Sequence, residues 1–324
     1  MAVSLREALT PFVEKDISIP DDLALRILQS SDASFAEILD LTYIARKQKF
    51  KDSVSLCSIV SIRSGPCSED CRFCAQSGRY ASGAAMPLAH ITRDELESAY
   101  RNSEALGCDH FSPVASGRRL GAEALDRLCG WIESIEGHPS WCASLGCLEF
   151  ESFEKLRKAG VRRYHHNLES ARTFFPQVCS SHTFADRIET LRKTREAGLE
   201  ICSGGVVGLG ESLEQRVEFA RILQEEAVDC IPLNFLLPVA GTPLEDLPPP
   251  TPGDILRMIA MMSLVCPAAE LRVAAGRSLL GKRQSDIFRA GATGFMICDF
   301  LTVKGPDARD DLDMIEASGL TLSD

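Results

Sequence analysis

The chain has 324 residues, 45% of them hydrophobic and 25% charged, a composition that excludes a disordered protein and provides for a full core. A net charge of -11 argues against a general nucleic-acid binder, and no apolar run reaches the roughly 20 residues of a membrane span. The opening MAVSLREALT carries no secretory pattern, so a cytoplasmic protein with no membrane or nucleic-acid partner is expected, and its 13 cysteines then point to metal or redox chemistry rather than disulfides.

In chain order, helices are expected over about 21–30 and 34–49, within an N-terminal helical extension spanning 1–50. From 51 to 324, short apolar or β-branched runs alternate with longer amphipathic segments. The expected strands are 54–62, 110–115, 140–145, 162–167, 200–206, 230–236, 271–275 and 294–298. Thr92 followed three residues later by Glu95 reads as a capping box, and Gly107, Gly160 and Gly198 stand where helices should stop. Eight strands separated by crossover-length helices predict an α/β fold, a (β/α)8 TIM-type barrel followed by a C-terminal segment. An open doubly wound sheet is the alternative. In a barrel, chemistry gathers at the C-terminal ends of the strands.

The loop after the first strand, GPCSEDCRFCAQSGRY, places Cys67, Cys71 and Cys74 in a C-x3-C-x2-C pattern. Three thiolates on a four-iron cubane leave one iron free to bind a small molecule, whereas an electron carrier supplies four ligands. Structural zinc also wants four ligands, and no second Cys or His pair lies close to the triplet in sequence to complete such a site.

With Phe73 just before the last cysteine, this segment resembles the signature of the radical S-adenosylmethionine family. The blocks RRYHHNLES, ICSGGVVGLGES, PLNFLLPVAGTPLEDL and ELRVAAGR, in order between about Ser53 and Gly319, make the chain similar to the biotin synthases of that family. The resemblance implies a 4Fe-4S cluster on Cys67, Cys71 and Cys74 whose open iron binds the amino and carboxylate groups of S-adenosyl-L-methionine. It implies radical sulfur insertion converting dethiobiotin to biotin, with an auxiliary iron-sulfur cluster deep in the barrel as sulfur donor. It also implies a flavodoxin or ferredoxin as electron donor, and a homodimer. Another radical enzyme of the same group, such as a hydrogenase-cofactor maturase, and a non-catalytic iron-sulfur or zinc protein are the alternatives.

In the best-known members the auxiliary cluster is a 2Fe-2S cluster held by three Cys and an Arg, and Cys142, Cys202 and Arg272 match three of those positions. Alternate barrel strands contribute to one interior level, so these side chains can meet. The fourth position holds Ser112, a hard substitute for thiolate on iron. Ser112 together with Cys57 resembles the anaerobic-type branch, whose auxiliary cluster is a larger, 4Fe-type donor. The expected ligands are therefore Cys57, Cys142, Cys179 and Cys202, with Arg272 beside them as a positive charge. Cys108, Cys129, Cys147, Cys230, Cys266 and Cys298 are expected to pack as small buried hydrophobes.

Among polar residues, Glu169 is suited to accept both ribose hydroxyls of an adenosyl group, and Asn167, which donates and accepts, suits cofactor or a ureido ring. Arg187 resembles the family residue that pairs with the methionine carboxylate. Phe73 and Gly205 are expected on the cofactor side, His165 and Asn234 on the substrate side, and His166 in the core. The stretch SGGVVGLGES does not fit the dinucleotide pattern G-x-G-x-x-G. Its glycines are expected to let backbone approach the adenosyl group, with Glu211 beginning the next helix.

Overall fold

The computed structural model describes residues 3–80, 82, 89–298, 305 and 307–323. Among them, eight parallel strands follow one another around a closed barrel: β1 Ser53–Ser64, β2 His110–Ala115, β3 Ser140–Ala143, β4 Arg163–His165, β5 Glu200–Cys202, β6 Cys230–Phe235, β7 Glu270–Val273 and β8 Gly294–Met296. Strand β8 pairs with β7 on one side and with β1 on the other, which closes the sheet. All eight lie where the sequence pattern places a strand, and the doubly wound alternative falls.

Outward residues such as Val54, Leu56, Leu271 and Val273 are buried under the helices. Their neighbours Ser55, Cys57, Glu270 and Arg272 therefore point into the lumen, as the twofold alternation of a strand requires. The Thr92–Glu95 capping box is formed at the start of helix Arg93–Ala105. Gly107, Gly160 and Gly198 take left-handed backbone just past their helices.

Three helices precede the barrel: α1 Leu5–Glu14, α2 Asp21–Leu28 and α3 Asp32–Phe50. The first was not expected. It is started by a Ser4–Glu7 capping box and carries Pro11 inside it, a residue that reads as a breaker in sequence. Buried Arg46 of α3 donates to the carbonyls of Ala292 (2.8 Å), Lys51 (2.9 Å) and Ser53 (2.6 Å), tying this extension to the N-terminal ends of β1 and β8. Helix Pro252–Val265 is apolar almost all round because barrel strands lie on one side of it and α2 and α3 on the other.

Register sets the lumen in levels. Cys57, Cys142, Cys202 and Arg272 lie on the odd strands and pair respectively with His110, Arg163, Cys230 and Gly294 on the even strands. Alternate strands share a level, so the first four residues form one layer and the second four the layer on its N-terminal side. Ser112 and His165 come next on the even strands, toward the C-terminal mouth.

Candidate functional site

The cysteine loop leaves β1 at Ser64 and is folded on itself. Cys67 donates its amide to the Gln76 carbonyl (2.8 Å) and accepts from the Gly78 amide (2.8 Å), while Cys74 donates to the Cys71 carbonyl (3.0 Å). Asp70 holds the loop against the segment after β4 by accepting from the amides of Ser180 and Ser181, both 2.9 Å, and from the Ser180 hydroxyl. Phe73 packs half-buried against the main core. Cys74 lies in the electrostatic field of Cys67 and Glu169, and Cys71 in that of Arg187 and Glu169. Glu169 thus acts on both Cys71 and Cys74, and Arg187 on Cys71. Burial pushes the Cys74 thiol up to about 11, so a cationic partner is needed to make it a thiolate at neutral pH.

Glu169 follows β4 with φ of +69°, a left-handed conformation costly for a side-chain-bearing residue and concentrated at functional sites. Backbone bonds on both sides over-determine it: its amide donates to Gly204 (3.1 Å), and its carbonyl accepts from Val206 (3.0 Å). Gly205 is required here, since an added Cβ would lie 2.3 Å from the Glu169 carbonyl oxygen. Gly205→Ala should therefore destabilise the fold by about 1–3 kcal/mol, the usual cost of overpacking. A denaturation midpoint equal to that of the unaltered chain would contradict the close approach.

Burial raises the Glu169 carboxyl above its usual range, outweighing Arg187, whose Nη1 is 3.6 Å away. Arg187 also donates to the Asn167 carbonyl (2.6 Å) and, through Nε, to His182 Nε2 (2.9 Å). The Asn167 side chain accepts from the Gly204 amide (3.0 Å) and donates to Glu169 (3.3 Å), so it orients this turn. Asn234 donates to the Gly205 carbonyl (3.2 Å) and accepts from the Ala275 amide (3.1 Å), bridging the short strand Gly205–Val207 to the end of β7. Glu211 does not begin the next helix, contrary to expectation. Ser212 caps it, and Glu211 accepts instead from the amides of Gly208 (2.8 Å) and Leu209 (2.7 Å).

Deeper in the lumen, His165 Nδ1 lies 3.4 Å from Cys202 Sγ. Burial, then Arg187, lowers this imidazole to about 4, which keeps it neutral at pH 7. His166 points to Cys147 (3.8 Å) and is buried, as expected of a core residue. Cys57, pushed up to about 11 by burial, feels Arg272 and Cys230. Cys142 lies 3.7 Å from His110 Nδ1 and feels Cys57, Arg163 and Arg272. Arg272 donates to Ser55 (2.7 Å) and Glu270 (2.7 Å), and Arg163 holds Glu270 through two bonds of 3.1 Å. Burial disfavours the charged Glu270 carboxylate, but Arg272 and Arg163 outweigh it and bring the group to about 2. This ion-pair set fills the lumen at and beneath the level of the thiols.

Of the six buried side-chain polar atoms without a hydrogen-bond partner among the described residues, two, Ser112 Oγ and Arg272 Nε, belong to residues of the lumen. Buried polar groups are nearly always satisfied, so these mark a place shaped for a group other than protein. Thiols, two guanidiniums and orphaned donors form a donor set suited to a thiolate-bound, anionic iron-sulfur cluster. The residues present fit such a group.

One expected ligand is not brought to this layer. Cys179 lies instead beside Cys71 and near Asp70 (3.1 Å), Ser181 (3.3 Å) and His182 (3.3 Å), because its segment is pinned to the cysteine loop. The contact with Cys71 lowers the Cys179 thiol and raises that of Cys71. Cys71, Cys179 and His182 offer ligand atoms within 4.8 Å of one another, close enough to hold a single metal ion. Sequence reasoning missed Arg163, Glu270, His110 and Cys230 as lumen residues. The available signal was parity, since Cys230 and Asn234 lie an even number of positions apart on one strand and share its inner face.

Residues 61–223 match the family model of the Radical SAM superfamily, and residues 232–321 match the Biotin and Thiamin Synthesis associated domain, whose strands complete the same barrel. A biotin synthase of Maridesulfovibrio salexigens is 46% identical over 318 residues, covering 98% of this chain and 97% of its own length. One of Acetivibrio thermocellus is 41% identical over 279 residues, covering 85% and 87%. Among solved structures, a methylornithine synthase superposes with a TM-score of 0.85 at 17% identity, covering 98% of this chain and 97% of that one. The FeFe-hydrogenase maturase of Carboxydothermus hydrogenoformans gives 0.80 at 12%, covering 98% and 79%. At such identities these two speak to the fold alone, whereas the curated relatives speak to the reaction. With relatives so similar along nearly its whole length, the chain belongs to the biotin synthase family of radical S-adenosylmethionine enzymes.

Proposed function

We propose that this chain makes biotin from dethiobiotin by dividing the work between the barrel mouth and the deep lumen. The observation that carries the division is the presence of two separate cysteine sets in one barrel, Cys67, Cys71 and Cys74 on the loop above β1 and the Cys57, Cys142 and Cys202 layer below. When bound, the 4Fe-4S cluster supplies the electron that splits the sulfonium of S-adenosylmethionine, and the auxiliary cluster supplies sulfur.

The chain's residues position and seal. Arg187, buried over Phe175 and aimed at Glu169, is placed to meet a carboxylate, and Glu169 to accept ribose hydroxyls. Asn234 and His165, lying between the mouth and the Cys202 level, are the substrate-facing groups. The ion pairs of Arg163, Glu270 and Arg272 close the lumen from below, keeping water from a radical intermediate.

A homodimer remains part of this reading through the sequence resemblance. For the electron donor, the reading favours flavodoxin or ferredoxin, small and usually acidic. A cleft of about 420 Å³ lined by Arg63, Arg118 and Arg119 also contains Pro66 and Ser68, the two neighbours of Cys67. Arg118 pairs with Asp186 and donates to the Ser181 carbonyl, and Arg119 pairs with Glu149, all at the exposed surface, where such pairs are weak and leave the guanidiniums open to an acidic partner.

The test uses full-length chain reconstituted anaerobically with iron and sulfide, with reductant and S-adenosylmethionine. Adding dethiobiotin should yield biotin and accelerate 5'-deoxyadenosine release. Release that ignores dethiobiotin would favour another substrate, and no release at all would remove the radical reading.

A further inference from the structure

Cys230 was expected to be a packing residue, and its surroundings argue otherwise. Cys266, which does pack, has the Ala220 carbonyl and the Met262 sulfur as neighbours. Cys230 is fully buried and pairs in register with Cys202 on one side and, on the other, with Glu270, which binds both Arg163 and Arg272. A thiol kept only to fill space gains nothing from two guanidiniums, whereas a metal-bound thiolate does.

Register gives the second argument. Cys202 and Cys230 are direct neighbours in the parallel ladder between β5 and β6. Cys57, Cys142 and Cys202 project from three odd strands at one level, and Cys230 projects into the same lumen from the level beneath. The family position held by Ser112 offers a hydroxyl, a poor donor to iron, and that hydroxyl is buried without a partner. Four soft donors therefore surround the space beside Arg272 without Ser112 and without Cys179.

We propose that Cys230 is a thiolate ligand of the auxiliary cluster, completing with Cys57, Cys142 and Cys202 the set that Ser112 leaves one short. This rests on the auxiliary-cluster reading above. Arg272 and Arg163 then offset the charge of a four-thiolate cluster, and Arg272 is not required as a ligand.

The experiment compares the full-length chain with Cys230→Ala, Cys230→Ser and, as a control, Cys266→Ala, each reconstituted anaerobically with iron and sulfide. Iron and acid-labile sulfide per chain and Mössbauer spectra are read, with circular dichroism to verify folding. About four iron atoms belong to the first cluster, and about two or four more to the auxiliary one. Cys230→Ala should fall to about four iron atoms per chain while keeping the Mössbauer signature of the first cluster. Cys230→Ser should give an altered auxiliary spectrum, since oxygen replaces sulfur at one iron, and this variant carries the test if the alanine form does not fold. Cys266→Ala should match the unaltered chain. An unchanged iron count with unchanged spectra in both Cys230 variants would overturn the assignment of Cys230 alone. An unaltered chain that loads only about four iron atoms would overturn the auxiliary cluster itself and this proposal with it.

Discussion

Cys71→Ala is expected to abolish cleavage of S-adenosylmethionine, and Cys67→Ala and Cys74→Ala should do the same. Removing an outer-shell partner of a bound metal typically costs about 10- to 100-fold, so loss of a ligand from a site with only three should exceed about 100-fold. The loop carries no fourth cysteine to replace a lost one, and the turn between Cys67 and Gly78 is fixed by its internal hydrogen bonds. Cys179 is a neighbouring sulfur in contact with Cys71. The double variant Cys71→Ala, Cys179→Ala shows whether any iron left in the single variant is held there. The checks are 5'-deoxyadenosine formation and iron content, and a single variant retaining more than a tenth of cleavage would contradict the assignment.

Cys202→Ala should separate the two halves of the reaction. The residue lies in the lumen beside His165 and Cys230, on strand β5 rather than on the cysteine loop. The variant should keep the first cluster and cleave S-adenosylmethionine within a few-fold of the unaltered rate, yet form no biotin. Such an uncoupled variant would place Cys202 with the sulfur source. Biotin formation at an undiminished rate would remove Cys202 from that role.

The barrel was legible because the strands carry short apolar runs at regular intervals and the helices between them carry caps. Where reading and structure differ, the strands end early: β3, β4 and β5 stop at Ala143, His165 and Cys202. Past those points the backbone turns to present Asn167, Glu169 and the short strand Gly205–Val207, and the positive φ of Glu169 cannot be read from its neighbours. The cysteine triplet was legible because its ligands are close in sequence. The deep layer was only partly so, because its members come from different strands and meet through register. Cys57 has the parity expected of a lumen residue, whereas Cys230, flanked by Ile231 and Leu233 on the outer face, is masked by apolar neighbours. Cys179 was misplaced because loop residues follow no periodicity, and a single contact network through Asp70 fixes where it lies.

The central claim is that Cys67, Cys71 and Cys74 leave one iron corner for S-adenosylmethionine. It is tested most directly by electron paramagnetic resonance of the reduced, reconstituted chain with and without that compound. The account predicts that adding it changes the signal of the first cluster, as binding to a cluster iron must. An unchanged signal, together with zinc found on Cys71, Cys179 and His182, would contradict it.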